Sequence, residues 1–322
     1  MSFGWLTWSN PVAIWWCCLV VVSALNITLW FKLHLHSSRT AIRTSTGMLA
    51  IEPLVLLAAA YVFGCAFRSI LPRADVQRIC LFNSWLSSVM IGRSVATVAE
   101  LCFAAQWAIV LRELGKISHS DTTKNIATLI VPLIALAECC SWYAVISTNF
   151  LGNVLENSIW TTAFVLIGVA LLRLMLSFHG PARLAIAAAA AGIACYVLFM
   201  STVDVPMYFE RWQADLAHGK PLLGLFSGLY DLATRWVVTH RFMPWQSEIA
   251  WMSLYFSVAV WTSLMLGGFV LVRHIVPRYR IRRPLFGVDL TKQFVPKLHI
   301  GCTEVLQRSA KDRQPLRNIA RK

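Results

Sequence analysis

Four ionisable side chains, Arg93, Glu100, Glu138 and Glu156, fall within or beside stretches that are otherwise apolar. A charge at the centre of a membrane helix costs at least about 2.5–3.5 kcal/mol, so such a group faces protein or water and is a functional candidate by default. Two carboxylates at one depth can bind a cation or carry protons. They can also act as acid and base where their surroundings differ, or hold a divalent cation against a phosphate that Arg93 would meet. The structural alternative is that Arg93 and Glu156 neutralise each other, while Glu100 or Glu138 bridges helices as a protonated acid.

Spacing gives the depths. At 1.5 Å per residue, Glu100 stands about 18 Å above Arg112 and Glu138 about 20 Å above Asn125. The two share a level slightly outward of the bilayer midplane. Glu156 stands about 27 Å up, near the outer interface. Arg93 lies seven residues outward of Glu100 on the same helical face and reaches the level of Glu156, so these two are expected to pair at the rim. Thr97 lies on the same stripe. Glu138 and Glu156 are each followed four residues later by tryptophan, Trp142 and Trp160. With Trp107, these rings are expected to wall an outward-facing polar cavity lined by Glu100 and Glu138. Asp204 and Glu248 are placed at the outer ends of the last two spans. A second polar spot, Asn26 with Glu52-Pro53, reads as helix capping.

The elements that must carry these groups are membrane helices. Hydrophobic residues make up 57% of the 322 and charged residues 14%, against about 25% charged in soluble domains. A span needs about 20 mostly apolar residues. Seven stretches qualify, near 11–31, 47–67, 94–111, 126–147, 158–178, 182–202 and 249–272. The expected fold is therefore an all-α polytopic membrane helix bundle over residues 1–275, followed by a basic tail over 276–322. The apolar stretch 79–92 rises only about 21 Å as a helix; it reads as a re-entrant or interfacial segment, or as an outward extension of the third helix. The long loop 203–248 reads as two amphipathic segments on the outer surface, with Asp204 near the cap of the first and Pro206 in its first turn.

The tail sets the orientation. Residues 276–322 hold twelve Lys and Arg against three acids, which places the C-terminus in the cytoplasm and, after seven spans, the N-terminus outside. The remaining loops are nearly balanced. The first 31 residues contain no Lys or Arg, so no cleavable signal peptide is expected. A bacterial inner membrane fits this pattern. "RYRIRR" directly follows the last span, where it meets anionic lipid headgroups. Membrane lipids are thus the expected partners. Nucleic acid is not, because no recognition motif accompanies the basic residues.

Several chemistries are excluded. Segment seven lacks a lysine for a Schiff base, and no histidine lies within the core of a span to hold haem or zinc. Walker, G-x-S-x-G and DxxD patterns are absent. The nine cysteines form no CxxC pair and read as small apolar residues. No cofactor, no metal and no catalytic residue is assigned. Three classes stay open: cation, proton or small-solute transport; a membrane-embedded enzyme acting on a lipid or lipid-linked substrate; and a sensor, receptor or assembly factor.

Overall fold

The computed structural model describes residues 4–43 and 53–273. Ten α-helices run in order: α1 (Pro11–Arg43), α2 (Pro53–Ile70), α3 (Val89–Ile117), α4 (Asp121–Ser147), α5 (Phe150–Ser177), α6 (Gly180–Phe199), α7 (Val205–Ala217), α8 (Leu225–Thr234), α9 (Phe242–Leu254) and α10 (Val260–Arg273). The π-turn Met200–Asp204 joins α6 to α7, and a second, Tyr255–Ala259, joins α9 to α10. Counting these unions, seven helices among the described residues are long and apolar enough to cross a membrane. The chain is thus an all-α, multi-pass membrane bundle. Chain neighbours from α1 to α6 pack in sequence, and α10 returns against α2 and α1. Leu25, Val98, Leu136, Val165, Leu172, Leu184 and Leu198 point outward, as lipid-facing residues must.

The ends of α2, α4 and α7, with the starts of α3, α5 and α9, lie on what is termed the capped face. The α4–α5 connection there is very tight. Thr148 takes a left-handed conformation (φ 58°) and ends α4; Asn149 Oδ1 then accepts from the Leu151 amide at 3.0 Å and starts α5. A left-handed stop followed at once by an Asn cap uses two residues to reverse the chain. At the opposite end of α4, Ser120 Oγ accepts from the Thr123 amide at 3.3 Å.

The stretch 79–92 is not a span: its helical parts are the single 3-10 turn Trp85–Ser87 and the first residues of α3. Residues 73–88 fold as a small cap: β1 (Arg73–Ala74) pairs antiparallel with β2 (Ile79–Cys80), and β2 pairs parallel with β3 (Val237–Val238). Buried arginines hold it. Arg73 Nη1 donates to the Ser88 carbonyl at 2.8 Å, and Arg78 donates to Asp231 Oδ2 at 2.7 Å and to the Val145 carbonyl at 2.7 Å. Side-chain apolarity alone hid this, because the tethers come from the flanking arginines. From Val89 onward the stretch does extend α3 outward.

The segment 203–248 also departs from expectation. Residues 205–217 do not begin a new surface helix; with α6 they form one helix of 38 residues. At about 57 Å it exceeds the roughly 30 Å hydrocarbon core. Asp204 caps nothing by side-chain hydrogen bond. Pro206 lacks an N–H and crowds the preceding turn, and the π-turn just before it relieves that strain locally. The tail 276–322 and Glu52 lie outside the described residues.

Candidate functional site

The site is a buried cluster of one guanidinium and three carboxylates. Arg93 Nη2 donates to Glu100 Oε2 at 3.0 Å and to Glu138 Oε2 at 2.8 Å, and Arg93 Nη1 lies 3.6 Å from Glu156 Oε1. Thr97 Oγ1 donates to Glu138 Oε2 at 2.6 Å and accepts from Trp142 Nε1 at 3.1 Å. Tyr255 donates from its hydroxyl to Glu100 Oε1 at 2.7 Å, and Asn153 Nδ2 donates to Glu156 Oε2 at 3.2 Å. Glu100, Glu138 and Glu156 are only 5%, 3% and 7% exposed. Three of their oxygens lie within 4.8 Å of one another.

Each element supplies its part by periodicity. Residues 93, 97 and 100 fall on one stripe of α3. Glu138, Ser141 and Trp142 face it from α4, and Asn153 and Glu156 from α5. Arg93 starts about 10.5 Å outward of Glu100 along the helix, and its long side chain turns back to reach it. Gly64 on α2 lets α3 approach closely: a Cβ there would stand 2.9 Å from that of Ala99. Gly92 is covered by the Arg73 guanidinium, which would clash with any side chain at that position.

All of Arg93, Thr97, Glu100, Glu138, Glu156 and Trp142 are thus brought together. Glu156, expected near the interface as a rim partner of Arg93 alone, instead joins the deep pair. The two-residue turn explains it. Glu138 lies nine residues before the end of α4 and Glu156 six after the start of α5, so their levels differ by about 4.5 Å, which side chains span. α5 also begins well before residue 158, the expected boundary. Of the three tryptophans, Trp142 is hydrogen-bonded into the cluster through Thr97, while Trp107 and Trp160 pack on Phe164, with ring centroids 6.3 Å and 5.9 Å away. In place of an open polar cavity, side chains are packed over the carboxylates. Asn26 does not cap: its Nδ2 donates to the Phe256 carbonyl at 3.0 Å and its Oδ1 accepts from Trp261 at 2.9 Å, which ties α1 to the second π-turn and to α10.

Sequence reasoning missed Tyr255, Asn153 and the layer above. In that layer Asp75 is paired with Arg73 at 2.9 Å and lies 3.6 Å from Arg68. Burial works to raise the Asp75 carboxyl, but the Arg68 and Arg73 charges outweigh it and hold it below the usual carboxylate range. Burial brings Arg73 down to about 10. A further cluster lies beside α7: Glu248 accepts from Gln77 at 3.0 Å, from Arg211 at 3.2 Å and from Trp251 at 2.8 Å. Arg211 stood in a nearly neutral loop, where nothing marked it as a partner for a span residue.

The electrostatics are unbalanced. Within the cluster one positive charge faces three acids. Counting the adjoining Arg68, Arg73 and Asp75 gives three guanidiniums against four carboxylates, an excess of one acid. Glu138 Oε1 and the Ser141 hydroxyl are buried without hydrogen bonds, so the site has unused polar capacity. The three carboxylates could ligate a cation. Arg93 Nη2 already bridges Glu100 and Glu138, so a cation at that point would take the place of the guanidinium. Comparison with protein-family models, with curated proteins and with solved structures gave no match, and the functional reading therefore rests on this geometry.

Proposed function

We propose that this membrane protein moves protons, or a small cation, by way of the Glu100–Glu138–Glu156 cluster. The observation that carries this reading is the surplus carboxylate held deep in the bundle. One proton on the Glu100–Glu138 pair balances the charge count, and losing it restores an excess that the low-dielectric surroundings oppose. A group poised between two such states can load and unload. The burial of all three carboxylates supports an ion-sized ligand over a lipid-sized one. We take the capped face to be the outer face and the basic tail to be cytoplasmic, in a bacterial inner membrane; the charge of residues 276–322 supports this orientation.

The test is proton flux. The full chain is reconstituted in liposomes containing a trapped pH dye, and a potassium diffusion potential is applied. The wild-type protein is expected to acidify or alkalinise the lumen according to the sign of the potential. Glu138→Gln and Glu100→Gln are expected to abolish the flux while remaining folded and inserted; Glu113→Gln, near the other face, is expected to retain it. Wild-type vesicles no more permeable than protein-free ones, with sodium, potassium and calcium also excluded, would overturn the reading.

A further inference from the structure

The cluster is packed over, so a proton needs a route to it. Two candidate sides differ in charge. Below the β1–β2 cap stand Arg68 and Arg73 with only Asp75, a net positive wall. Beside α7 stand Asp204 and Glu248 with only Arg211, a net negative group that favours a cation.

Asp204 is the unusual member. It is 7% exposed, lies in the π-turn between α6 and α7, and among the described residues makes no side-chain hydrogen bond. Its charged neighbours are Glu248, of like sign, and Arg211. Arg211 is itself engaged with Glu248 at 3.2 Å and with Ser247 at 2.6 Å. An unpaired buried carboxylate is costly, and π-turns concentrate at functional positions.

Ring contacts fix its level. Tyr196 on α6 packs on Phe164 of α5 with centroids 4.5 Å apart, and Tyr208 on α7 packs near Phe150 of α5 at 6.1 Å. Asp204 lies between the two tyrosines along its helix, and Glu156 lies between the two phenylalanines along the antiparallel α5. The interpolated register sets Asp204 opposite Glu156, within about one residue rise. The π-turn and α7 both pack against α5, so Asp204 and Tyr208 are carried by elements that lie on the helix of Glu156.

We propose that Asp204 is a second proton-binding station, through which the glutamate cluster exchanges protons with the capped face. This rests on the proton-handling reading above. Arg211, part exposed and bound to Glu248, stands at the entry. Tyr208, one turn on from Asp204 and packed near Phe150, is hydrogen-bonded to neither acid in this structure, so the transfer requires its ring to turn toward them: the hydroxyl oxygen then takes the proton of the Asp204 carboxyl as the hydroxyl gives its own to the Glu156 carboxylate. Asp204 is left as a carboxylate, Glu156 becomes neutral, and the tyrosine ends with one proton, as it began.

The experiment is infrared difference spectroscopy on the full chain in detergent, transferred from H2O to D2O. The wild-type protein is expected to show carboxylic C=O bands that shift on deuteration. Asp204→Asn should remove one band and slow the exchange of the remaining carboxyl band by about 100-fold, while Asp204→Glu should keep near-native exchange. Unchanged bands and exchange in Asp204→Asn would overturn the proposal. If Asp204→Asn does not fold, Tyr208→Phe provides the second arm: slowed exchange of the cluster band supports the relay, and native exchange refutes it. Exchange that depends on Asp204 in a protein giving no flux in liposomes would sink the transport reading and leave the station standing.

Discussion

The Tyr255 hydroxyl donates a 2.7 Å hydrogen bond to Glu100 Oε1. Tyr255 opens the π-turn of the last span, so this bond joins the α9–α10 break to the acidic cluster on α3. Helix–helix hydrogen bonds within membranes are worth about 1–2 kcal/mol at most. Tyr255→Phe should cost stability of that order in a thermal or denaturant melt. It should also leave Glu100 Oε1 without its donor and change the apparent proton affinity of the cluster. A variant with unchanged pH dependence of flux would show that the bond only packs the helices.

Arg93 serves three acids at once, so its loss leaves three buried carboxylates without the one guanidinium paired with them. Removing one partner of a buried ion pair typically costs about 3–5 kcal/mol. Arg93→Gln is expected to give little folded protein. Adding Glu156→Gln should restore part of the yield, because the longest of the three contacts, 3.6 Å, is then no longer an uncompensated charge. Size-exclusion profiles of the single and double variants decide this. A double variant no better than Arg93→Gln would mean that Glu156 and Arg93 do not share one charge balance.

Asp75 gives an acid limb. Its folded-state affinity for a proton is reduced, since the Arg68 and Arg73 charges outweigh burial. Such a group stabilises the fold above its unfolded value, and the contribution is lost as pH falls through the folded one. Stability should therefore decline below about pH 4, through loosening of the β1–β2 cap. Asp75→Asn should be less stable at pH 7 and should show a flatter profile below that point. Melting curves in detergent across the acid range test it; parallel profiles would remove Asp75 from the acid response.

The seven spans were legible from composition, because a 20-residue apolar run has few other uses. Glu100 and Glu138 were legible because a carboxylate in such a run is conspicuous. Glu156 was seen but set at the wrong depth, since the tightness of the Thr148–Asn149 turn depends on a left-handed residue that Thr does not advertise. The buried roles of Arg73 and Arg78 could not be seen: their partners, Ser88, Asp231 and Val145, come from three separate places in the chain. Tyr255 and Asn26 failed for a related reason. A single polar residue in a span gains meaning only from its neighbour across the interface.

Orientation yields a further prediction. With the tail cytoplasmic, alkaline phosphatase fused after Lys322 should be inactive in a bacterial host and a fused fluorescent protein bright. Fusion at Lys220, beside the end of α7, should give the reverse. Phosphatase activity at Lys322 would invert the assignment of the capped face, and with it the side from which protons enter.

The last prediction concerns Gly152. It lies one turn before Glu156, at the closest approach of α4 and α5. A Cβ there would stand 2.6 Å from the Cys140 carbonyl oxygen and 2.7 Å from Ala144 Cβ. Two of the contacts are backbone atoms, so a rotamer change cannot relieve them, and the helices must part. Overpacking of this kind costs about 1–3 kcal/mol. Parting the helices also separates Glu138 from Glu156, because the carboxylates meet only where these helices touch. Gly152→Val should therefore lower both stability and proton or cation flux. Gly152→Val with Ala144→Gly removes the side-chain part of the clash but not the Cys140 carbonyl, so recovery should be partial. Spin labels at exposed positions on α4 and α5 would report the separation directly. If Gly152→Val widens the gap and flux stays native, Glu156 is dispensable to the site, and the functional core contracts to Arg93, Glu100 and Glu138.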